Sequence, residues 1–100
     1  MVLGHEGCGA VDAAIAARFH GTRHRSRIAS LLKNIEPALD NLDQTLPPSA
    51  RLSAAVEANV RWTIRELLET PEGKARAVKA DVKLIGAVDD LATGRVRFLE

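Results

Sequence analysis

A long stripe of apolar residues in the second half of the chain constrains the fold more than any other feature. Its members are spaced four, four, four and three residues apart: Leu52, Val56, Val60, Ile64 and Leu67. An α-helix places residues with this spacing on one face. Pro47-Pro48 is a firm break before the stripe, and Ser49 can cap the helix that follows. The pattern predicts a long amphipathic helix, which has to bury its apolar face against other elements.

Three shorter segments also predict helices. They are the Ala-rich run Gly9–Arg18, the stretch Ile28–Ile35 with apolar residues at i, i+3, i+4 and i+7, and the segment from the cap Thr70 to about Val78. Pro37 lies just after the second of these segments. The helix therefore either ends near Glu36, with Pro37 in the first turn of a new one, or kinks there.

Three short apolar runs predict strands: Met1–Leu3, Val82–Val88 and Val96–Leu99. A turn over Ala92–Arg95 separates the last two. We expect one α/β domain over residues 1–100, with a parallel core pair of strands, an antiparallel C-terminal strand and flanking helices. The first run is shorter than the usual ~5 residues of a strand, so we expect further strands upstream of it.

Composition excludes several classes of function. The chain has 100 residues, a net charge of +1, 46% apolar residues and 27% charged residues. This balance gives no reason to expect a nucleic-acid partner. No apolar run approaches the ~18 residues of a membrane span, so we expect no membrane partner. The lone Cys8 forms no intrachain disulfide, which is typical of a reducing compartment, and we expect a cytoplasmic protein.

The segment Gly4–Val11 carries the candidate chemistry. His5 and Cys8 lie three residues apart, where a strand end meets a helix start. Imidazole and thiolate are ligands that zinc prefers, and a helix N-terminus favours the thiolate form of a cysteine. The spacing alone is a weak signal, because it also fits a buried cysteine beside a surface histidine.

The sequence around His5 and Cys8 is a more specific signal than their spacing. Gly4-His5 followed by Cys8-Gly9-Ala10-Val11 resembles the G-H-x-x-C-G-A-V segment of β-class carbonic anhydrases. The resemblance continues in order through three further segments: Ile35–Leu39, Glu57–Val60 and the closing hairpin Val82–Val96. Asp89 departs from the pattern, since the family has Tyr there. We interpret Asp89 as a surface or packing change away from the metal.

The resemblance implies a zinc enzyme that hydrates carbon dioxide to bicarbonate. In that family Cys, His and Cys hold the metal, and His5 and Cys8 match the second and third of these ligands. The first belongs to a C-x-D-S-R segment, which no part of this chain matches. That segment also supplies an Asp–Arg pair, so no catalytic residue is identifiable here. We expect the isolated chain to be weakly active or inactive.

Two other readings stay open. One is a non-catalytic remnant or oligomerisation module of the same fold. The other is an unrelated metal-binding module in which His20 or His24 joins His5 and Cys8, although we favour a solvated loop for both histidines.

We interpret several charged residues as solvated or helix-start residues rather than as parts of a functional site. The basic cluster Arg18, Arg23, Arg25 and Arg27 is either an anion site or, as we favour, a solvated loop. Glu6 and Asp12 are interpreted as helix-start or surface acids.

We expect a homo-oligomer, because the short N-terminal strand would expose an unpaired edge and apolar surface. Trp62 lies off the apolar stripe of its helix. It fits equally an interface with another copy and packing against a neighbouring helix of its own chain.

Overall fold

The computed structural model describes residues 1–79 and 83–99. In chain order the elements are β1 (Val2–His5), α1 (Gly9–Phe19), α2 (Ser26–Ile35), a short 3₁₀ helix (Glu36–Leu39), α3 (Pro48–Glu69), α4 (Pro71–Lys79), β2 (Gly86–Asp90) and β3 (Arg95–Phe98). All four helices predicted from the sequence occur, and α1, α2 and α4 end within one or two residues of the expected positions.

The described strands form a sheet in the order β1-β2-β3. β1 runs parallel to β2, and β3 pairs antiparallel with β2. The predicted α/β fold, with a parallel pair and an antiparallel C-terminal strand, is therefore confirmed. Rows of partners cross the sheet, such as Gly4 with Val88 and Val88 with Arg97. These rows decide which side chains share a face.

The second strand begins later than predicted. It starts at Gly86 rather than within Val82–Ile85, and Val82 lies outside the described residues. The parallel ladder begins with the hydrogen bond from Val2 N to Ile85 O, at 2.8 Å. Since β1 starts at Val2, Lys83 and Leu84 have no part of β1 opposite them. At its other end the strand extends to Asp90, where β3 supplies the partner.

Helix α3 packs against the sheet along its predicted apolar stripe. Val56 and Val60 are buried, whereas Leu67 near the end of the helix is exposed. The predicted cap at Ser49 is wrong, because the helix already begins at Pro48. Proline is favoured at the first helical position, where its fixed φ suits the helix and its missing N–H is not needed.

The core lies between α3, the sheet and the other helices. Its largest fully buried side chains are Leu39, Val56 and Val88, which come from the 3₁₀ helix, α3 and β2. Val11 and Ile15 of α1 belong to the same cluster. The core therefore joins the start of α1, and with it the turn that precedes α1, to the long helix.

Helix α2 ends at Ile35, and the segment with Pro37 forms a separate 3₁₀ helix. Of the two alternatives for this proline, the chain thus takes the break rather than the kink. The expected single apolar face of α2 is only partly buried. Leu32 lies in the core, whereas Ile28 and Leu31 are exposed.

Two further predictions concern Thr70, just before the start of α4, and Trp62, within α3. Thr70 Oγ1 accepts a hydrogen bond from Gly73 N at 3.0 Å, which confirms its capping role for α4. Trp62 is half-buried, and its indole N–H donates to the carbonyl oxygen of Asn34 at 3.2 Å. Trp62 therefore packs against α2 of its own chain, as one of its two readings predicted.

Among the described residues, no helix is both long and apolar enough to cross a membrane.

Candidate metal centre

His5 is the last residue of β1 and has an exposed side chain. A Cβ on its neighbour Gly4 would point at Val56 and Val60, so Gly4 faces α3. Because side chains alternate along a strand, His5 projects from the opposite face of the sheet. Its Nδ1 lies 3.4 Å from the carbonyl oxygen of Glu6. If Nδ1 carries the proton, Nε2 presents its lone pair, which is the tautomer a metal ligand needs.

Cys8 occupies the N-cap position of α1. Its backbone is extended, with φ −61° and ψ 117°, and its carbonyl oxygen accepts the first helical hydrogen bond, from Asp12 N at 3.0 Å. The half-buried thiol packs beside the core cluster and forms no disulfide. Asp12 is an exposed acid in the first helical turn, as predicted.

The turn between the two residues is held at its start and bent at its middle. Glu6 N donates to the carbonyl oxygen of Asp89 at 2.8 Å, which extends the parallel ladder one step past His5. Gly7 then adopts a φ of +67°, a left-handed conformation that favours glycine. We call residues 5–8 the His5–Cys8 turn. It brings the end of a strand and the cap of a helix into one tight connection.

The donor types in this turn fit zinc, but their number falls short. Zinc in catalytic sites usually has three protein ligands and one open position. Across residues 1–79 and 83–99, no group of three or more His, Cys, Asp or Glu side chains could hold a metal ion. His5 and Cys8 stay predicted ligands, and a complete site requires donors beyond those the described residues bring together.

The other histidines do not complete the site. His20 is exposed just after α1, and His24 is half-buried in the loop before α2. The Nε2 atom of His24 is buried and has no hydrogen-bond partner among the described residues. It borders a cavity of about 250 Å³ that Arg23 and Lys33 also line. Neither histidine joins a three-donor group in the described chain.

The basic cluster divides between two helices and the loop that joins them. Arg18 lies in the last turn of α1 and pairs with Asp40 at 2.5 Å, so it is not part of the loop. Arg23, Arg25 and Arg27 are exposed, as the solvated reading predicted.

Glu6 is a partly exposed acid, which agrees with its interpretation as a surface acid, but its carboxylate is paired rather than free. Its Oε1 lies 2.8 Å from Arg97 Nη2 and accepts a hydrogen bond from Ser53 Oγ at 3.1 Å. Arg97 Nη1 also binds Glu57 Oε1. These four residues, which we call the Arg97 network, join the His5–Cys8 turn to α3 and β3.

Sequence reasoning missed the Arg97 network because its members are far apart along the chain. Glu6 and Arg97 are separated by 91 positions. The family resemblance singled out the segments that contain Glu57 and Glu6, the latter at a variable position, but not Ser53 or Arg97. The hydrogen bonds that Arg97 donates to Glu6, and then to Glu57, raise the pKa of its guanidinium above the ordinary value. The guanidinium is therefore a permanent charge at this position.

Asp89 lies closer to the candidate site than expected. It is the register partner of His5 on the adjacent strand, rather than a residue away from the metal. Its Oδ1 is buried without a hydrogen-bond partner in the described part of the chain. The parallel pairing of β1 with β2 brings it there, and the spacing of the two residues in sequence gives no sign of this.

Comparison with known proteins identifies a family. The family model described as carbonic anhydrase matches residues 1–96. No match was found among curated protein sequences.

Solved structures similar to the chain are β-carbonic anhydrases. One, from a study of two tetrameric enzymes of Sordaria macrospora, is 21% identical with a TM-score of 0.82, covering 97% of this chain and 49% of its own. CafD of Aspergillus fumigatus is 26% identical with a TM-score of 0.70, covering 98% and 54%. CcaA is 21% identical with a TM-score of 0.76, covering 99% and 49%. The chain thus spans about half the length of these proteins.

Proposed function

Since the chain belongs to the β-carbonic anhydrase family, we propose that the protein carrying these residues catalyses the reversible hydration of carbon dioxide to bicarbonate. The observation that carries the proposal is the His5–Cys8 turn. It puts an imidazole and a thiol on a strand end and a helix cap, inside the segment that the family model matches. The fold shared with β-carbonic anhydrases supports it.

In this proposal His5 and Cys8 supply two of the protein ligands to zinc. Zinc bound in such a site acidifies water and so provides hydroxide as nucleophile at neutral pH. The glycine at position 7 lets the chain reverse between the two ligands, and Cys8 occupies the N-cap position of α1. No segment of the 100 residues matches the C-x-D-S-R motif, so these residues alone should hold zinc weakly.

A second candidate is a non-catalytic oligomerisation module of the same fold. It is favoured by one observation, that the described residues contain no three-donor metal group. In either case we propose a homo-oligomer, which agrees with the tetrameric state of the Sordaria macrospora relatives. We also propose a cytoplasmic location, because a single free cysteine suits a reducing compartment.

Zinc titration of the full chain, with a carbon dioxide hydration assay, tests the proposal. Cys8→Ser and His5→Ala should each weaken zinc binding at least about tenfold, since each removes one of two ligands. His20→Ala, which changes an exposed histidine outside the turn, is the matched control and should leave zinc affinity unchanged. Affinity should fall as pH falls, because protons compete with the metal for thiolate and imidazole.

The outcomes separate the candidates. Zinc binding that Cys8→Ser leaves unchanged would show that the ligand assignment is wrong. Zinc binding through Cys8 without turnover, in a protein that also carries the upstream motif, would favour the non-catalytic module. Robust turnover by the 100-residue chain alone would point to a third ligand that the present geometry does not show.

A further inference from the structure

We propose that Arg97 is a positioning residue that fastens the His5–Cys8 turn to α3 through Glu6. The inference rests on the proposed function, because it assigns a role to the turn that carries the two candidate zinc ligands. It assigns a role at the candidate metal site, which lies at the end of β1, to a residue on β3.

The position of Arg97 follows from the sheet register. Gly4, Val88 and Arg97 form one row across the three strands. Since Gly4 faces α3, Arg97 faces α3 as well. From there its guanidinium reaches Glu6 in the turn through Nη2, at 2.8 Å, and Glu57 on α3 through Nη1.

One guanidinium therefore holds two carboxylates that come from different elements. Arginine suits this task because its planar fork offers parallel donors in a fixed geometry, which lysine lacks. Arg61 also lies beside Glu57, with its Nη1 3.6 Å from Glu57 Oε2, and Arg95 lines the same cavity as Glu6. Without Arg97, the carboxylate of Glu6 would lose its cationic partner and face the acidic Glu57 across the gap.

Glu6 is fixed at both ends. Its backbone N–H is bound to Asp89, and its side chain is bound by Arg97 and Ser53. The adjacent Gly7 is the flexible point, since glycine has the widest choice of backbone conformations. Anchoring Glu6 thus restrains where the turn leaves the strand and how Cys8 is presented relative to His5. The ion pairs are partly exposed, so their contribution is to geometry more than to overall stability.

The first test needs no metal and uses Cys8, the sole cysteine of the chain, as a reporter. Arg97→Met should raise the rate of Cys8 alkylation by iodoacetamide about fivefold, because the released turn opens more often. Faster alkylation therefore reports a looser turn.

The matched control is Arg18→Met. Arg18 is also a partly exposed arginine in an ion pair, with side-chain exposure of 38% against 45% for Arg97, and it pairs with Asp40 away from the turn. This control should leave the alkylation rate of Cys8 within about twofold of the parent chain. Arg97→Lys should give an intermediate rate, since lysine keeps the charge but not the fork.

A double-mutant cycle tests whether Arg97 acts through Glu6. Glu6→Gln should accelerate alkylation about as much as Arg97→Met, and the double variant should add nothing further. Additive effects of the two changes would contradict the proposal. Equal acceleration of Cys8 alkylation in Arg97→Met and Arg18→Met would also contradict it. So would alkylation rates that increase only in proportion to each variant's loss of melting temperature.

Cobalt binding then links the turn to the metal. Co²⁺ titration, followed by the charge-transfer absorbance of its bond to the Cys8 thiolate, should show about tenfold weaker binding in Arg97→Met. Unchanged cobalt affinity in that variant would refute the positioning role. A parent chain without a Cys8-dependent cobalt band would instead overturn the proposed function, and the alkylation comparison would still decide whether Arg97 positions the turn.

Discussion

Asp89 is the residue beside the candidate site whose surroundings differ most from expectation. It lies next to His5 in the sheet register, and its buried Oδ1 has no hydrogen-bond partner among the described residues. Leaving a buried acceptor unpaired costs about 1–3 kcal/mol of stability. The neighbouring Asp90 offers a contrast, since its Oδ1 accepts a hydrogen bond from Ala92 N at 3.0 Å.

We therefore predict that Asp89→Val stabilises the protein, by about 1 kcal/mol, because valine suits a strand and removes the unpaired oxygen. Asp90→Val is the matched control and should destabilise the fold by about the same amount, since it removes a paired acceptor at the hairpin turn. Urea unfolding of the two variants measures both effects. A loss of stability in both would mean that Asp89 has a partner in solution.

At the scale of elements, the approach of α3 to the sheet depends on glycines. A Cβ added at Gly4 would lie 2.7 Å from Val60 Cγ2 and 3.1 Å from Val56 Cγ1. A Cβ at Gly86, on the adjacent strand, would lie 2.9 Å from Val60 Cγ1. The helix thus lies on a part of the sheet that has no side chains of its own, and this contact positions β1 and the turn that follows it.

Gly4→Ala should accordingly destabilise the fold by about 1–3 kcal/mol through overpacking against α3. Gly9→Ala is the matched control, because a Cβ there meets nothing within 4 Å, and it should be neutral or slightly stabilising in the first turn of α1. Chemical denaturation provides the comparison. The second-site change Val60→Ala should recover part of the loss in Gly4→Ala, and additive losses would show that the clash with Val60 is not the cause.

At the scale of the whole molecule, one face of the sheet carries exposed apolar side chains. Leu3 and Phe98 lie in one row on the side away from α3, 48% and 67% exposed, with the buried Ala87 between them. β1 also lies at an edge of the described sheet. A strand edge beside an apolar surface favours association.

We predict that the 100-residue chain self-associates and that Phe98→Glu shifts it toward the monomer, because a charge on this face opposes burial. Val78→Glu is the matched control, since Val78 on α4 is 87% exposed and lies outside the sheet. Sedimentation velocity at tens of micromolar separates the species. A compact monomer of the parent chain with a cooperative melt would contradict the prediction.

Features that depend on near neighbours in sequence could be predicted from the sequence. Apolar periodicity located α2 and α3, because a helix contacts residues three and four positions away, and the strong helix formers of Gly9–Arg18 located α1. Thr70 and Pro71 marked the start of α4 for the same local reason. The His5–Cys8 turn was recognised from its local sequence, since both candidate ligands lie within one short connection.

The tertiary structure alone decided which distant residues meet. Arg97 reaches Glu6, and Asp89 lies beside His5, because strands from opposite ends of the chain pair in one particular register. Sequence periodicity shows which face of an element is apolar, but it does not contain that register. The close packing of α3 on Gly4 and Gly86, which lie on adjacent strands, fits that register, and this packing exists only in the folded chain.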